Sequence, residues 1–243
     1  MPYFESFDGV TVHFSDDGDG RPVVLLHGMG ADAQANFEQT GITGALRDAA
    51  FRVVAPDIRG HGESDPVSEP ERFADDAIRR DVSALLDHLD VKEAVVVGYS
   101  MSGFTTLRLA AHDPRVVAIA VIGIGENTGK IDGPPEVRTQ FVEMLERADP
   151  NDERTPPEFR VPGPQRAAII AYMKAPLPYT RAVLDDIRVP ALLIAGDRDK
   201  NVGDPSLLAA EIGGRVARVP GNHFTCLAEP ALHRALVEFL DEV

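Results

Sequence analysis

Residues 94–103 read AVVVGYSMSG, and FTTLRLAAH follows to residue 112, two places before Pro114. Ala94 to Val97 form an apolar run too short for a core helix and without polar alternation, the pattern of a strand buried on both faces of a parallel sheet. The run passes straight into Gly98-Tyr99-Ser100-Met101-Ser102-Gly103 and then into a helical segment, Phe104 to His112, which Pro114 ends. A strand, a sharp turn and a helix in immediate succession strain the residue at the apex and push its side chain outward. That residue is Ser100. The turn needs small residues at 98 and 102, and Ser102 stands where glycine is more usual, with Gly103 after it. A phosphate-binding loop would use the same glycines, but Phe104 occupies the place where that motif needs lysine.

Further short apolar runs lie on either side: Val23 to Leu26, Arg52 to Ala55, Val116 to Ile122, Ala191 to Ala195 and Arg215 to Val219. Near the start, Tyr3 to Phe7 and Val10 to Phe14 flank the turn dipeptide Asp8-Gly9, which predicts a β-hairpin, and Asp16 to Gly20 reads as the loop after it. Between these strands, Ile78, Val82, Leu85, Leu86 and Leu89 recur at helical spacing, as do Leu232, Leu236, Phe239 and Leu240. The alternation predicts an α/β fold: a mostly parallel eight-stranded sheet with helices on both faces, binding its ligand beyond the carboxyl ends of the strands. Residues 127–186 break the rhythm with many prolines and two helical patterns, Val137 to Leu145 and Gln165 to Met173. The expectation is one domain, 1–243, with a short helical cap inserted at about 127–186 and the core completed by 187–243.

The chain has 243 residues, 44% hydrophobic and 6% aromatic, with no Trp, which is ordinary for a soluble globular protein. Lys plus Arg number 24 against 39 Asp plus Glu, and the formal charge of −15 opposes binding to a phosphate backbone. No nucleic-acid partner is expected. The single cysteine, Cys226, rules out an intramolecular disulfide and a Cys-rich metal site. The opening MPYFESFDGV has neither the basic region nor the apolar run of a signal peptide, and no apolar stretch approaches a membrane span, so a cytoplasmic protein without a membrane partner is expected. Nothing in the residue pattern sets an oligomeric state.

A serine hydroxyl is a weak nucleophile and needs a base, normally a histidine oriented by a carboxylate. His223 sits in Gly221-Asn222-His223-Phe224, after the last strand-like run and before the final helix, whereas His13, His88, His112 and His233 fall within or at the ends of regular segments and receive no role. The strand Ala191 to Ala195 is followed by Gly196-Asp197-Arg198-Asp199, which puts carboxylates on the same rim. Asp199 is the chosen acid, with Asp197 and Glu126 as alternatives. Acyl transfer also needs donors for an oxyanion, and Leu25-Leu26-His27-Gly28-Met29-Gly30 is a loop whose glycines let backbone approach a substrate. The donors expected are the backbone N–H groups of Met29 and Met101, the second at a helix start where the dipole helps. His27 is read as a loop residue and not a second base. Phe141, Met144, Tyr172 and Met173 are candidates to line an acyl pocket, the alternative being that they pack the cap onto the core. No metal or organic cofactor is implied; the expected partner is a small-molecule substrate.

LLHGMG (25–30), DIRGHGESD (57–65), GYSMSG (98–103), GDRD (196–199) and GNHF (221–224) occur in the order characteristic of the α/β-hydrolase family, which the chain resembles over nearly its whole length. The resemblance implies an oxyanion hole at the residue after His-Gly and the residue after the nucleophile, again Met29 and Met101. It makes the Arg59 to Ser64 region a structural loop, so His61 and Asp57 are given no catalytic part. Ser102 and a short, proline-rich cap depart from the family's usual pattern. Serine at 100, where some relatives carry aspartate, points away from haloalkane dehalogenase and epoxide hydrolase chemistry. What the resemblance implies is hydrolysis of an ester or lactone, as by a small carboxylesterase. A carbon–carbon bond hydrolase, an amidase or a perhydrolase would use the same triad, and a ligand receptor the same fold.

Overall fold

The computed structural model describes residues 2–126, 135–155, 160–161, 163–178 and 180–243. Its apolar runs become the strands β1 (Tyr3–Glu5), β2 (Thr11–Asp17), β3 (Pro22–Leu26), β4 (Arg52–Pro56), β5 (Ala94–Tyr99), β6 (Val116–Ile122), β7 (Ala191–Gly196) and β8 (Arg215–Val219). They form one eight-stranded sheet in the order β1-β2-β4-β3-β5-β6-β7-β8. β2 runs antiparallel to β1 and β4; every other pairing is parallel. The missing alternation has a direct cause. Val24, Leu26, Val54, Val96, Val121 and Leu193 pack on one face, while Val23, Leu25, Val53, Val95, Val97 and Ile194 pack on the other. Both faces are covered, so both carry apolar side chains.

The first face is covered by α2 (Ala77–His88), α3 (Met101–His112) and α6 (Pro205–Ile212), through residues such as Leu85, Leu86, Leu107 and Leu208. The second is covered by α1 (Ile42–Asp48) and α7 (Pro230–Glu242), through Leu46, Leu232, Leu236 and Phe239. Between β6 and β7 the described residues form α4 (Pro135–Arg147), α5 (Gly163–Lys174) and a 3-10 segment, Thr180–Asp186. The predicted helical patterns fall inside α4 and α5, although the side chain of residue 137 and positions 127–134, 156–159, 162 and 179 of the expected cap lie outside the described residues. No described helix is long and apolar enough to cross a membrane.

One local expectation needs correction, and α6 is additional to the patterns read from the sequence. β2 does not stop before Asp16; it continues to Asp17 beside β4, with Asp16 accepting from Arg52 Nε at 2.8 Å and Nη2 at 2.7 Å. A charge can occupy this strand because both partners are partly solvated, at about a quarter exposed each. The ends of α6 carry ordinary signals: Asp204 accepts the Ser206 N–H at 3.0 Å, Pro205 opens the helix and Gly213 closes it at φ +67°.

The N-terminal hairpin is tied to the core by Arg59, whose side chain has no exposed surface. It donates to Asp81 on α2 at 2.6 and 2.5 Å and to Asp8 in the hairpin turn at 2.9 and 3.1 Å. Ser6 adds a third contact to Asp81, at 2.5 Å. Burial works against the Arg59 charge, but the two carboxylates outweigh it and hold its pKa above the ordinary arginine value. The cation of the DIRGHGESD stretch is thus spent on holding the fold together.

Candidate active site

The spatial strand order reverses between β3 and β5, and ligands of open α/β sheets bind at such a crevice. Ser100 sits there, between β5 and α3, at φ 52° and ψ −115°. A non-glycine residue in that region carries strain of roughly 1–3 kcal/mol. It is held by its N–H donating to the Ile122 carbonyl at 2.8 Å and by its carbonyl accepting from Gly103 N–H at 2.9 Å. Gly98 is required because a Cβ there would lie 2.1 Å from Thr106 Oγ1 and 2.5 Å from the Ser102 carbonyl oxygen. Ser102 departs from glycine to a purpose visible in the structure: its buried hydroxyl donates to the His27 carbonyl, joining the turn after β5 to the loop after β3.

The loops after β5, β7 and β8 bring three side chains into one hydrogen-bonded row. His223 Nε2 lies 3.0 Å from Ser100 Oγ, and His223 Nδ1 lies 2.7 Å from Asp199 Oδ2. The Asp199 side chain is fully buried and that of His223 is 14% exposed. Asp199 uses its other oxygen to accept the Asn201 N–H at 2.9 Å. A carboxylate accepts only, so Nδ1 carries the imidazole proton and Nε2 is left to accept from the serine hydroxyl. The alternative acids lie elsewhere. Asp197 is over half exposed and accepts the Gly221 N–H at 3.0 Å, and Glu126 accepts the Asp204 N–H at 3.3 Å. The histidine loop is itself braced, since Asn222 Oδ1 accepts the N–H groups of Phe224 and Thr225, both at 2.9 Å, and Thr225 Oγ1 accepts the Asn222 N–H at 2.9 Å.

The loop after β3 is pinned by Asn36 Oδ1, which accepts the Gly28 N–H at 2.8 Å. Among the described residues neither the Met29 N–H nor the Met101 N–H has a hydrogen-bond partner, and Met101 opens α3, whose dipole favours an anion. His27 is buried; Nδ1 donates to the Gly28 carbonyl at 2.8 Å and Nε2 accepts the Ile58 N–H at 2.9 Å. Burial lowers its pKa, and with both nitrogens engaged it is a neutral structural residue. His61 packs against it, with ring centroids 5.3 Å apart, and burial pushes its pKa down to about 3. Asp57 is occupied by the N–H groups of Ala33 and Glu63, each at 2.9 Å, and by His13 Nδ1 at 2.8 Å. Through these bonds His27 and Asp57 tie the loop after β3 to the loop after β4.

The four residues offered as a pocket lining divide differently. Tyr172 and Met173 are buried in the core, Tyr172 edge-on to Phe73 at 5.8 Å, and Phe141 is half-buried against the same core. Met144 is 53% exposed. In this structure Tyr172 and Met173 anchor the inserted helices, and Met144 faces outward because it sits on the other side of α4 from buried Val142 and Leu145. Three residues not singled out from sequence pack against the loops of the site. A Cβ built on Gly30 would be 3.3 Å from Val161 Cγ2 and 3.5 Å from Ile169 Cδ1, so these two cover the loop after β3. Phe224, 56% exposed, stands edge-on to His223 at 5.3 Å.

Residues 21–160 match the alpha/beta hydrolase fold family. Over 103 residues, 42% of the chain and 36% of the relative, it is 39% identical to a non-heme chloroperoxidase of Kitasatospora aureofaciens. Over 139 residues, 56% of the chain and 47% of the relative, it is 32% identical to a 2-hydroxy-6-oxononadienedioate/2-hydroxy-6-oxononatrienedioate hydrolase of a Pseudomonas species. The matched stretches thus span less than half the length of these curated relatives. Among solved structures, an enol-lactonase from Burkholderia xenovorans superposes with a TM-score of 0.78 over 99% of this chain and 100% of that one, at 24% identity. A hydrolase from Pseudomonas aeruginosa gives 0.79 over 98% and 97%, also at 24% identity. At that level the likeness is one of fold.

Proposed function

Because this chain belongs to the α/β-hydrolase fold family, we propose that it is a serine hydrolase that cleaves an ester or lactone of a small organic substrate through an acyl-enzyme. The observation that carries the reading is the row Asp199, His223, Ser100, with contacts of 2.7 and 3.0 Å on the carboxyl rim of the sheet. Ser100 Oγ attacks the carbonyl carbon as its proton passes to His223 Nε2. The carbonyl oxygen takes the negative charge and is met by the N–H groups of Met29 and Met101. The tetrahedral intermediate collapses, the leaving alkoxide takes the proton from His223, and the acyl group stays on Ser100. Water then repeats the sequence and frees the acid. Asp199 holds the proton on Nδ1 throughout. None of these steps calls for a metal or an organic cofactor. The inserted helices act as a cap, with Val161, Ile169 and Phe224 the side chains best placed to shape the pocket.

The test is a graded panel of p-nitrophenyl esters, acetate to octanoate, beside γ- and δ-lactones, with the matching anilides for amidase activity. The expected result is turnover of at least one ester or lactone with kcat/KM of at least about 10⁴ M⁻¹s⁻¹. No ester or lactone turnover by folded protein would count against the reading, and preference for the anilides would replace it with amidase chemistry.

A further inference from the structure

Tyr99 precedes the strained serine in the chain and is 4% exposed. Its hydroxyl donates to the backbone carbonyl of His223 at 2.8 Å, across 124 positions of sequence. Its ring also faces the imidazole, with centroids 5.3 Å apart and planes at 35°. The other sides of the ring abut two more loops of the site. A Cβ on Gly28 would lie 2.8 Å from Tyr99 Cδ1 and Cε1, and one on Gly123 would lie 3.3 Å from Tyr99 Cε2 and 3.0 Å from His223 Cε1. One side chain therefore touches the loop that offers the Met29 N–H, the end of β6 and the histidine loop, while its backbone leads into Ser100. Among the described residues the other side-chain contact to the His223 carbonyl is the Cys226 thiol at 3.5 Å, a weak donor. Burial, with the nearby Cys226 and Asp199, raises the phenol pKa further above its ordinary value, so the hydroxyl keeps the proton it donates.

We propose that Tyr99 is a positioning residue of the hydrolase: its bond to the His223 carbonyl and its ring against the imidazole set where Nε2 stands relative to Ser100 Oγ. This rests on the serine-hydrolase reading. A base held loosely spends less time within reach of the serine proton, and a misplacement of about 1 Å can cost about 10²-fold in rate. The ring and the hydroxyl separate experimentally, because Tyr99→Phe keeps the ring and its volume and loses only the bond, while Tyr99→Leu loses both.

The experiment measures the rate of phosphonylation by a small fluorophosphonate, and kcat and KM on the best ester, for wild type and both variants well below their melting temperatures. For Tyr99→Phe, kcat and the phosphonylation rate are expected to fall about 10- to 100-fold with KM within about twofold of wild type. Tyr99→Leu is expected to fall further. The downfield proton resonance of His223 Nδ1–H, sharp in wild type, is expected to broaden in Tyr99→Phe, a readout independent of turnover. If wild type labels rapidly and Tyr99→Phe labels at the same rate with an unchanged His223 resonance, Tyr99 only fills the core and the proposal is wrong. If folded wild type does not label at all, the hydrolase reading fails and takes the proposal with it.

Discussion

Asp199→Asn is expected to lower kcat about 10⁴-fold with little loss of stability. The cause lies in the two bonds Asp199 accepts, one from His223 Nδ1 at 2.7 Å and one from the Asn201 backbone N–H at 2.9 Å. Asparagine has one acceptor oxygen and one donor nitrogen in the same volume. The Asn201 N–H cannot become an acceptor, so the amide oxygen turns toward it and the amide nitrogen toward His223. Nδ1 must then accept, and the imidazole proton moves to Nε2, 3.0 Å from Ser100 Oγ. A protonated Nε2 cannot take the serine proton. Steady-state kinetics on the best ester, with a thermal melt as control, measures the effect. A variant within about tenfold of wild type would show that Asp199 does not set the tautomer.

The largest stability effect is expected at Asp81, far from the reaction. Asp81→Ala leaves the fully buried Arg59 with Asp8, which is itself 27% exposed, and with the Arg72 carbonyl at 2.5 Å. Removing one partner of a buried pair costs about 3–5 kcal/mol, because the remaining charge stays in a medium that solvates it poorly. Urea denaturation of wild type and variant measures this. The double variant Arg59→Leu with Asp81→Leu removes the orphaned charge and is expected to recover much of the loss. A cost below about 1 kcal/mol for the single variant would mean that Arg59 finds solvent when Asp81 is gone.

The central strands were legible because burial on both faces writes an unbroken apolar run, and β6 begins and ends where the sequence puts it; β8 also keeps its expected bounds, although of its five residues only Val219 is buried. The end of β2 was not legible, since Asp16 and Asp17 read as loop until Arg52 is known to lie across from them. Ser100, His223 and Asp199 were candidates because each lies just past the carboxyl end of a strand, where a parallel sheet gathers its loops, but Asp197 and Glu126 shared that ground, and it is the structure that puts Asp199 within reach of His223. What escaped is set by the packing of distant segments. The Tyr99 bond reaches a backbone carbonyl, which leaves no trace in side-chain identity. Ser102 looked like a departure from pattern until its acceptor, the His27 carbonyl, came into view. In the inserted helices, spacing marked Tyr172 and Met173 as apolar but not which neighbour they meet, so Val161 and Ile169, which cover Gly30, went unnoticed.

Whether Ser100 is an activated nucleophile can be measured without a choice of substrate, by intact-mass analysis after exposure to a small fluorophosphonate. Wild type is expected to gain one phosphonyl group with loss of fluoride, while Ser100→Ala and His223→Ala stay at their starting masses. A folded wild type that remains unmodified, or a Ser100→Ala variant that is still labelled, would contradict an activated Ser100.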